Sequence, residues 1–330
     1  MSERDAQTDL LILGGGFFNY AKEISRALTM RGRKVESFED RPALDTVTKS
    51  LLRVAPNMVA AKSEAYFERI IDKMRGKPIR DVLVIKGEAL TPKSIERLRA
   101  AMPQARFTLF FWDSYRNMTP DSPKKVPLFD KSFTFDPQDA QLDSRLNYRP
   151  LFFVDDYASL PRVNADIDLL FLGTVHSDRY AILRRLSQAL PSGVRLETIL
   201  YFPSRLVYGF RRVFDPTFWR ARRDEFIFHP LDKSKIQSLI ARARVVVDIE
   251  RTVQCGFTMR TIEVLGAGKK LLTTNPKVAE ADFFNANNIA IIDRRRPIVT
   301  STFLESPYKP PSAEILKRYS LSGWLDEVLP

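Results

Sequence analysis

Short apolar segments alternate with helical patterns along most of the chain. The first half contains six such segments, each ending in turn residues: DLLILGG (9–15), KVESFED (34–40), VLVIKG (82–87), FTLFFWD (107–113), KSFTFD (131–136) and YRPLFF (148–153). Helical patterns separate several of them, as in TPKSIERLRAAM, where Ile95, Leu98 and Met102 recur at a helical spacing. Continuous apolarity is typical of strands buried on both faces of a parallel sheet, so an α/β fold is expected.

The alternation restarts after a polar break at 154–168. The second half contains five more strand-like segments: LLFLGT (169–174), RLETILY (195–201), VVVDIE (245–250), KLLTTN (270–275) and IAIIDR (289–294). Because 330 residues exceed what one core usually supports, two domains are expected. The sequence predicts two Rossmann-like, doubly wound domains, 1–155 and 165–311. The closing helices of 312–330 are candidates for packing on the first domain.

The rare residue types exclude several kinds of site. The single cysteine, Cys255, excludes an internal disulfide and is typical of a reducing cytoplasm. With only His176 and His229 beside it, a metal site built by the protein is not expected. The chain has no run of eighteen apolar residues, and its polar start is not that of a signal peptide. The sequence therefore predicts a cytoplasmic location.

The formal net charge of +12 favours anionic partners, such as nucleotides, nucleic acid or an anionic membrane. Nucleic acid is the least favoured, because the chain has no zinc-finger spacing, RNA-binding signature or basic zipper. Open parallel sheets bind ligands beyond the carboxyl ends of their strands. The residues that follow each predicted strand are therefore the candidates for a site.

Three glycines, Gly14 to Gly16, follow the first strand. Glycine permits a tight turn and the close approach of a ligand, so Gly15 and Gly16 are placed on the acceptor side. The run does not match GxGxxG, which disfavours NAD. A plain turn between strand and helix is the alternative.

Asp113 ends the fourth strand, while Lys86 and Glu88 lie at the end of the third. A carboxylate at the rim of a partly dry cleft can act as a general base, because desolvation raises its pKa. Asp113 is therefore the predicted catalytic base, with Glu88 as a second candidate and Lys86 on the acceptor side. The alternatives are a turn cap formed by Asp113 with Ser114 and a solvated pair of Lys86 with Glu88.

In the second domain, Gly173 and Thr174 close the opening strand, and His176 and Arg179 lie at the start of the next helix. Backbone N–H groups and a cationic side chain at such a helix start indicate a phosphate cradle. For His176, a surface or capping role is the alternative.

The most informative segment is QCGFTMRTIEVLGAGKKLLTTN, residues 254–275, in which a short helix lies between two apolar strands. The helix N-terminus and Arg260 suit a diphosphate, and Gly256 lets the backbone approach it. Thr258 can cap the helix, and Glu263 lies where a carboxylate can accept hydrogen bonds from two ribose hydroxyls. The alternative is a surface ion pair between Arg260 and Glu263. The position between two buried strands favours the nucleotide site.

Seven stretches between residues 82 and 294 carry a family resemblance: VLVIKGEALTP, FFWDS, FDKSFTFDPQDA, YRPLFF, FLGTVHSDRY, QCGFTMRTIEVLGAGKKLLTTN and NNIAIIDR. As an ordered set they resemble GT-B glycosyltransferases. The set is most similar to a bacterial group that is CgeB-like or acts in lipopolysaccharide and capsule biosynthesis. The resemblance implies two Rossmann-like domains facing a cleft, with the sugar donor held by the C-terminal domain and the acceptor by the N-terminal domain.

The resemblance also implies roles for individual residues. The predicted donor-binding residues are Gly173, Thr174, His176, Arg179, Gln254, Gly256, Phe257, Thr258, Arg260 and Glu263. Many retaining members have two glutamates eight positions apart, but here Cys255 stands eight positions before Glu263, which favours inversion with a carboxylate base. No metal and no cofactor are expected, because members generally stabilise the leaving diphosphate with the helix dipole and basic side chains.

Residues 205–223 interleave six arginines with aromatic residues: Tyr208, Phe210, Phe214, Phe218 and Trp219. Such a segment could lie on anionic lipid and bring the enzyme to a lipid-linked acceptor. The alternative is a basic helix that packs its aromatic side chains into the domain. Pro216 interrupts any single long helix.

Taken together, these features predict a metal-independent hexosyl- or pentosyltransferase. It would move a sugar from an activated, nucleotide-linked donor to a saccharide or lipid-linked acceptor in bacterial surface polysaccharide or glycoconjugate assembly. Two alternatives remain: a transferase that uses a phosphoribosyl diphosphate-type donor, and a catalytically silent GT-B relative that binds a sugar or a protein partner. A peripheral position at the inner face of the membrane is expected for a lipid-linked acceptor.

Overall fold

The computed structural model describes residues 8–14, 20–42, 56–252 and 255–330, without the side chains of 56–60. The strands within these residues are β1 (Leu10–Gly14), β2 (Val35–Phe38), β3 (Asp81–Ile85), β4 (Arg106–Phe111), β5 (Lys131–Thr134), β6 (Asn147–Tyr148), β7 (Ile167–Thr174), β8 (Leu196–Tyr201), β9 (Phe226–Ile227), β10 (Ala243–Asp248), β11 (Lys270–Thr273) and β12 (Ile289–Ile291).

The α-helices are α1 (Tyr20–Met30), α2 (Pro56–Met74), α3 (Pro92–Ala101), α4 (Ser122–Lys125), α5 (Pro137–Leu142), α6 (Asp155–Ala158), α7 (Arg179–Ala189), α8 (Arg205–Phe214), α9 (Lys233–Arg242), α10 (Met259–Gly266), α11 (Ser301–Glu305), α12 (Ala313–Tyr319) and α13 (Leu321–Val328). Short 3₁₀ turns occupy Tyr115–Asn117, Val126–Leu128, Pro216–Phe218, Arg223–Glu225 and Pro276–Glu280. In the described part of the chain, no helix combines the length and apolarity needed to cross a bilayer.

The chain forms two compact units. Unit 1 comprises Met1–Leu151, Val253–Gly256 and Leu321–Pro330. Unit 2 comprises Phe152–Thr252 and Phe257–Ser320. Of the closing helices, α13 therefore belongs to unit 1, whereas α12 belongs to unit 2.

The sheet of unit 1 has six parallel strands in the order β2-β1-β3-β4-β5-β6. The strand order reverses between β1 and β3, where Gly14 lies opposite Ile85. Helix α3 covers this sheet as its sequence predicts: Thr91 accepts from the N–H of Ser94 (3.1 Å), and Ile95 and Leu98 are buried. The buried strands form a core with α2 and α3.

The sheet of unit 2 also has six parallel strands, in the order β12-β11-β10-β7-β8-β9. Here the order reverses between β7 and β10, where Phe171 lies opposite Val247. This order is the doubly wound arrangement in which ligands bind at the switch point, outside the carboxyl ends of the strands. The predicted α/β class with two doubly wound sheets is confirmed.

Two details of the sheets differ from the sequence prediction. The predicted strand 148–153 pairs only through β6 (Asn147–Tyr148), because Pro150 has no N–H for a further ladder bond. Beyond it, Phe153 forms an isolated bridge with Ser320 in unit 2. The edge strand β9 has only two residues, too few to give a periodic signal.

Candidate functional site

Arg179 spans the switch point of unit 2. Its Nε donates to the carbonyl of Ile249 just after β10 (2.7 Å), and its Nη1 donates to the carbonyl of Thr174 at the end of β7 (3.0 Å). Gly173 makes room for it, since a Cβ there would lie 3.2 Å from Nη1 of Arg179. The predicted residues Gly173, Thr174 and Arg179 are thus brought together at the carboxyl ends of the strands, the edge at which open parallel sheets generally bind ligands.

A group of cations surrounds the same edge, and we call Arg179, Arg211, Arg251 and Arg260 the arginine cluster. Burial lowers the pKa of His176 to about 3, helped by the charges of Arg179, Arg251 and Arg211. Burial also lowers the pKa of Arg179 to about 10, with contributions from Arg251 and Arg260. Within the described residues, Nη1 of Arg211 is buried and has no hydrogen-bond partner. An anionic group placed here would relieve the repulsion among these cations.

Two members of the arginine cluster were not predicted from the sequence. Arg251 lies three residues beyond β10, so the rule that ligands bind past strand ends could have identified it. Arg211 lies on α8, far along the chain from the other members. Only the tertiary structure brings Arg211 close to His176.

The low pKa of His176 makes stability depend on pH. The folded-state pKa of about 3 lies below the ordinary value of 6.5, so below that value the unfolded chain binds a proton that the folded chain does not. The contribution of the neutral His176 to the free energy of unfolding is therefore fully present above about pH 6.5 and declines as the pH falls toward 3. We expect His176→Gln to lose less unfolding free energy than the wild type between about pH 7 and pH 5.

Urea unfolding at the two pH values measures this difference. One proton can change the free energy of unfolding by roughly 1.4 kcal/mol per pH unit. Because solvent screens the partly exposed ring of His176, the difference between the variant and the wild type should be smaller than this. The exposed His229 provides the control, because His229→Gln should leave the pH dependence unchanged. Identical pH dependences for His176→Gln and the wild type would contradict the assignment.

The N-terminus of α10 is tied to the end of β10. Thr258 is the N-cap, as predicted, and its Oγ1 accepts from the N–H of Thr261 (3.1 Å). The hydroxyls of Thr258 and Thr261 both donate to Oδ2 of Asp248, at 2.6 and 2.8 Å. Asp248 therefore fixes the helix start beside the switch point. It went unrecognised in the sequence because a buried aspartate at a strand end has no motif of its own.

Arg260 and Glu263 form the i,i+3 ion pair that was the alternative reading, with Nη1 2.7 Å from Oε2. The pair does not lie on the surface, because Glu263 is buried and the Arg260 side chain is mostly so. Tyr157 of α6 lies beside the pair, and burial and the charge of Glu263 raise its pKa. The ribose contact of Glu263 stays a prediction.

Two residues of the predicted donor stretch pack against cores. Gly256 belongs to unit 1, where a Cβ would lie 2.6 Å from both the ring and the carbonyl of Phe135. This close packing explains the glycine without any approach of a phosphate. Phe257 is buried in unit 2 with its ring centroid 5.2 Å from that of Phe283. Gln254, also predicted to bind donor, lies outside the described residues.

Arg294 forms a second network at the same edge of unit 2. Its Nη2 lies 2.8 Å from Oδ1 of Asp178, and its Nη1 pairs with the carboxylate of Glu250. Nη1 also donates to Oγ1 of Thr274 (3.0 Å). Burial raises the pKa of Glu250. The network joins the ends of β10, β11 and β12 to the turn before Arg179, and it was missed because its members are distant in sequence.

In unit 1, Nζ of Lys86 and Oδ2 of Asp113 form a hydrogen-bonded ion pair across the ends of β3 and β4. Lys86 and Gly87 both have left-handed backbones, with φ of 67° and 64°. For lysine this conformation costs about 1–3 kcal/mol, a strain that is often found at functional sites. Ser114 is the N-cap residue of the 3₁₀ turn Tyr115–Asn117, but its hydroxyl donates to Asp136 and does not cap the turn.

Glu88 is placed differently from Asp113. Its carboxylate pairs with Nη2 of Arg41 (3.2 Å), and Glu88 and Lys86 are both buried, so they do not form the solvated pair that was the alternative. The side chain of Glu88 is 2% exposed, against 19% for Asp113, so Asp113 is the more accessible of the two candidate bases. Gly15 and Gly16, placed on the acceptor side, lie outside the described residues.

No family model matches the chain, and no curated protein matches its sequence. A glycosyltransferase from Rickettsia africae ESF-5 has a similar structure, with 12% identity, a TM-score of 0.64, and 98% of this chain and 97% of that chain covered. Anabaena Alr3699/HepE, in complex with UDP and glucose, gives 12% identity, a TM-score of 0.59 and 98% coverage of both chains. The apo structure of OtsA gives 10% identity and a TM-score of 0.62, with 97% of this chain and 98% of that chain covered.

Identities this low establish architecture and nothing finer. The matched structures cover nearly the whole of this chain, including both six-stranded parallel sheets. The closer resemblance to the CgeB-like group stays a prediction. The chain has the two-domain α/β fold of the GT-B glycosyltransferases.

Proposed function

We propose that the protein is a glycosyltransferase that moves a sugar from a nucleotide-linked donor to an acceptor hydroxyl. The observation that carries the proposal is the arginine cluster at the switch point of unit 2, beside the N-terminus of α10. A diphosphate is the anion that such an arrangement suits best. The Anabaena structures, with UDP in one crystal and UDP-glucose in another, support a uridine nucleotide as the first donor to test.

In the proposed reaction, the arginine cluster binds the donor diphosphate, and Glu263 contacts the ribose. The acceptor hydroxyl gives its proton to Asp113, and its oxygen forms the new bond to the anomeric carbon. The bond from that carbon to the diphosphate breaks, and the nucleoside diphosphate leaves with the electron pair. A single displacement of this kind inverts the anomeric configuration.

The charge that develops on the leaving diphosphate needs stabilisation. Guanidinium groups and the N-terminus of α10 provide fixed positive charge close to it. Among the described residues, no group of three or more His, Cys, Asp or Glu side chains is placed to hold a metal ion. We propose that the arginine cluster and the helix N-terminus supply this electrostatic stabilisation.

The acceptor is proposed to be a saccharide or a lipid-linked saccharide in bacterial surface polysaccharide or glycoconjugate assembly. This part of the proposal rests on the family resemblance of the seven stretches between residues 82 and 294. A lipid-linked acceptor would require the enzyme to work peripherally at the inner face of a membrane.

Arg251→Ala should weaken UDP binding roughly tenfold or more, because a charge-assisted hydrogen bond contributes about 1.5–3 kcal/mol. Arg251 is exposed, so its removal should not harm folding. Titration calorimetry with UDP measures the affinity. Arg195→Ala is the matched control, since it removes the same charge from another exposed position of unit 2.

A panel of nucleotides, nucleotide sugars and phosphoribosyl diphosphate in a thermal-shift assay identifies the donor class. A shift with uridine nucleotides that is lost in Glu263→Ala would support donor binding at α10. A shift with phosphoribosyl diphosphate alone would favour the other transferase. Equal UDP affinities of Arg251→Ala and the wild type would contradict the assignment of the site.

A further inference from the structure

Helix α8 of unit 2 presents large apolar side chains to solvent. Leu206 is 86% exposed, Phe210 64%, Val213 65% and Phe214 67%. These positions follow the i, i+4, i+7, i+8 spacing of one helix face. Trp219, just beyond the helix, is 61% exposed. We call these five residues the exposed apolar face.

The exposed apolar face is continuous. The rings of Phe210 and Phe214 lie 4.6 Å apart between centroids. Nε1 of Trp219 donates to the carbonyl of Val213 (3.3 Å), which holds the indole against the end of the helix. A continuous patch of this kind marks a surface that binds a partner.

The other aromatic residues of the segment pack inward. Tyr208 and Phe218 are buried, and the ring of Phe218 stacks on Tyr180 at 4.8 Å. The alternative in which the aromatic side chains pack into the domain therefore holds for Tyr208 and Phe218 but not for Phe210, Phe214 and Trp219. Because Tyr208 and Phe218 anchor the segment in the core, the exposed apolar face is held outward on a fixed support.

A basic depression adjoins the exposed apolar face. It has a volume of about 440 Å³ and is lined by Tyr208, Arg212, Trp219, Arg220, Ala221, Arg222 and Arg223. Across residues 205–223 there are six arginines and a single acidic residue, Asp215. Asp215 accepts from the N–H of Thr217 (3.0 Å), so it serves a local turn. Arg222 pairs with Asp224, so Arg212, Arg220 and Arg223 supply the net positive charge of the depression, which can hold anionic headgroups.

We propose that the exposed apolar face and the adjoining arginines dock on the surface of an anionic lipid bilayer. The aromatic rings enter the boundary between headgroups and acyl chains, and the arginines bind lipid phosphates. A second copy of the chain suits this surface poorly, because a two-fold contact would bring two sets of arginines together. The inference goes beyond the proposed function and is tested without any nucleotide.

Sedimentation of the full chain with vesicles tests the apolar part of the surface. Vesicles that contain phosphatidylglycerol should bind the protein, and pure phosphatidylcholine vesicles should bind it much more weakly. The double variant F210S/F214S should lose affinity about tenfold or more. The control L142S/I298S removes two apolar side chains of similar exposure, 74% and 62%, and should bind as the wild type does.

The charged part is tested with R220A/R223A, compared with R162A/R195A, which removes two other exposed arginines of unit 2. Each arginine removed from the docking surface should weaken binding about fivefold, the effect of about 1 kcal/mol per basic residue near an anionic membrane. Equal losses in the two charge variants, or no binding to either kind of vesicle, would overturn the proposal. So would a dimer in light scattering that F210S/F214S converts to a monomer.

Discussion

Gly266→Ala should destabilise unit 2 by about 1–3 kcal/mol, because the structure leaves no room for a Cβ. A Cβ on Gly266 would lie 2.4 Å from Cγ of Phe153 and 2.9 Å from its Cβ. Phe153 is buried, and its N–H donates to the carbonyl of Tyr319 (2.9 Å), so it cannot move aside freely. The loss of stability therefore comes from overpacking the contact between the end of α10 and the segment that carries Phe153.

The same substitution should weaken UDP binding, because Gly266 ends α10, whose first turn carries Arg260. Thermal unfolding measures the stability, and a loss of 1 kcal/mol corresponds to about 2–4 °C in Tm for a unit of this size. Gly209→Ala is the matched control, since a Cβ there meets no atom within 4 Å. That substitution should stabilise the protein by about 0.4–1 kcal/mol. An unchanged Tm for Gly266→Ala would show that Phe153 relaxes, against the expectation.

The α/β fold could be predicted because its signals are local. Strands β1 and β3 are almost continuous apolar runs, and helix α3 shows both its Thr91 cap and its apolar spacing in the sequence itself. Strand order could not be predicted in the same way, because it depends on pairings between distant segments. The short strand β9 escaped notice because its pairing with β8 comes from tertiary contact.

The residues of the candidate site differ in how far the sequence places them together, for the same reason. Gly173 lies at the end of β7 and Arg179 begins α7 six residues later, so the sequence shows them together. Arg211 and Arg294 reach the same region from distant elements, and no local pattern indicates either. Gly256 shows that a local pattern can also be ambiguous. A glycine required by packing on Phe135 looks the same in a sequence as a glycine required by a ligand.

Asp113→Asn should lower the rate of sugar transfer by about 10²–10⁴-fold, because an amide cannot take the proton of the acceptor hydroxyl. Asparagine has the same size and can still accept a hydrogen bond from Nζ of Lys86. We therefore expect the protein to stay folded, with a UDP affinity close to that of the wild type, and the loss of the counter-ion of the buried Lys86 to lower stability only in part. Release of UDP from UDP-glucose, with a panel of acceptors, measures the rate, and calorimetry measures UDP binding.

Two further variants identify the source of any loss. Asp72→Asn, at a carboxylate whose side chain is 67% exposed in unit 1, should be fully active. Glu88→Gln should mainly lower stability, because it weakens the buried pair with Arg41. Full activity of Asp113→Asn with an inactive but folded Glu88→Gln would move the base to Glu88. A parallel loss of stability and rate in Asp113→Asn would instead mean that the pair with Lys86 maintains the ends of β3 and β4, and that the proton goes to another group.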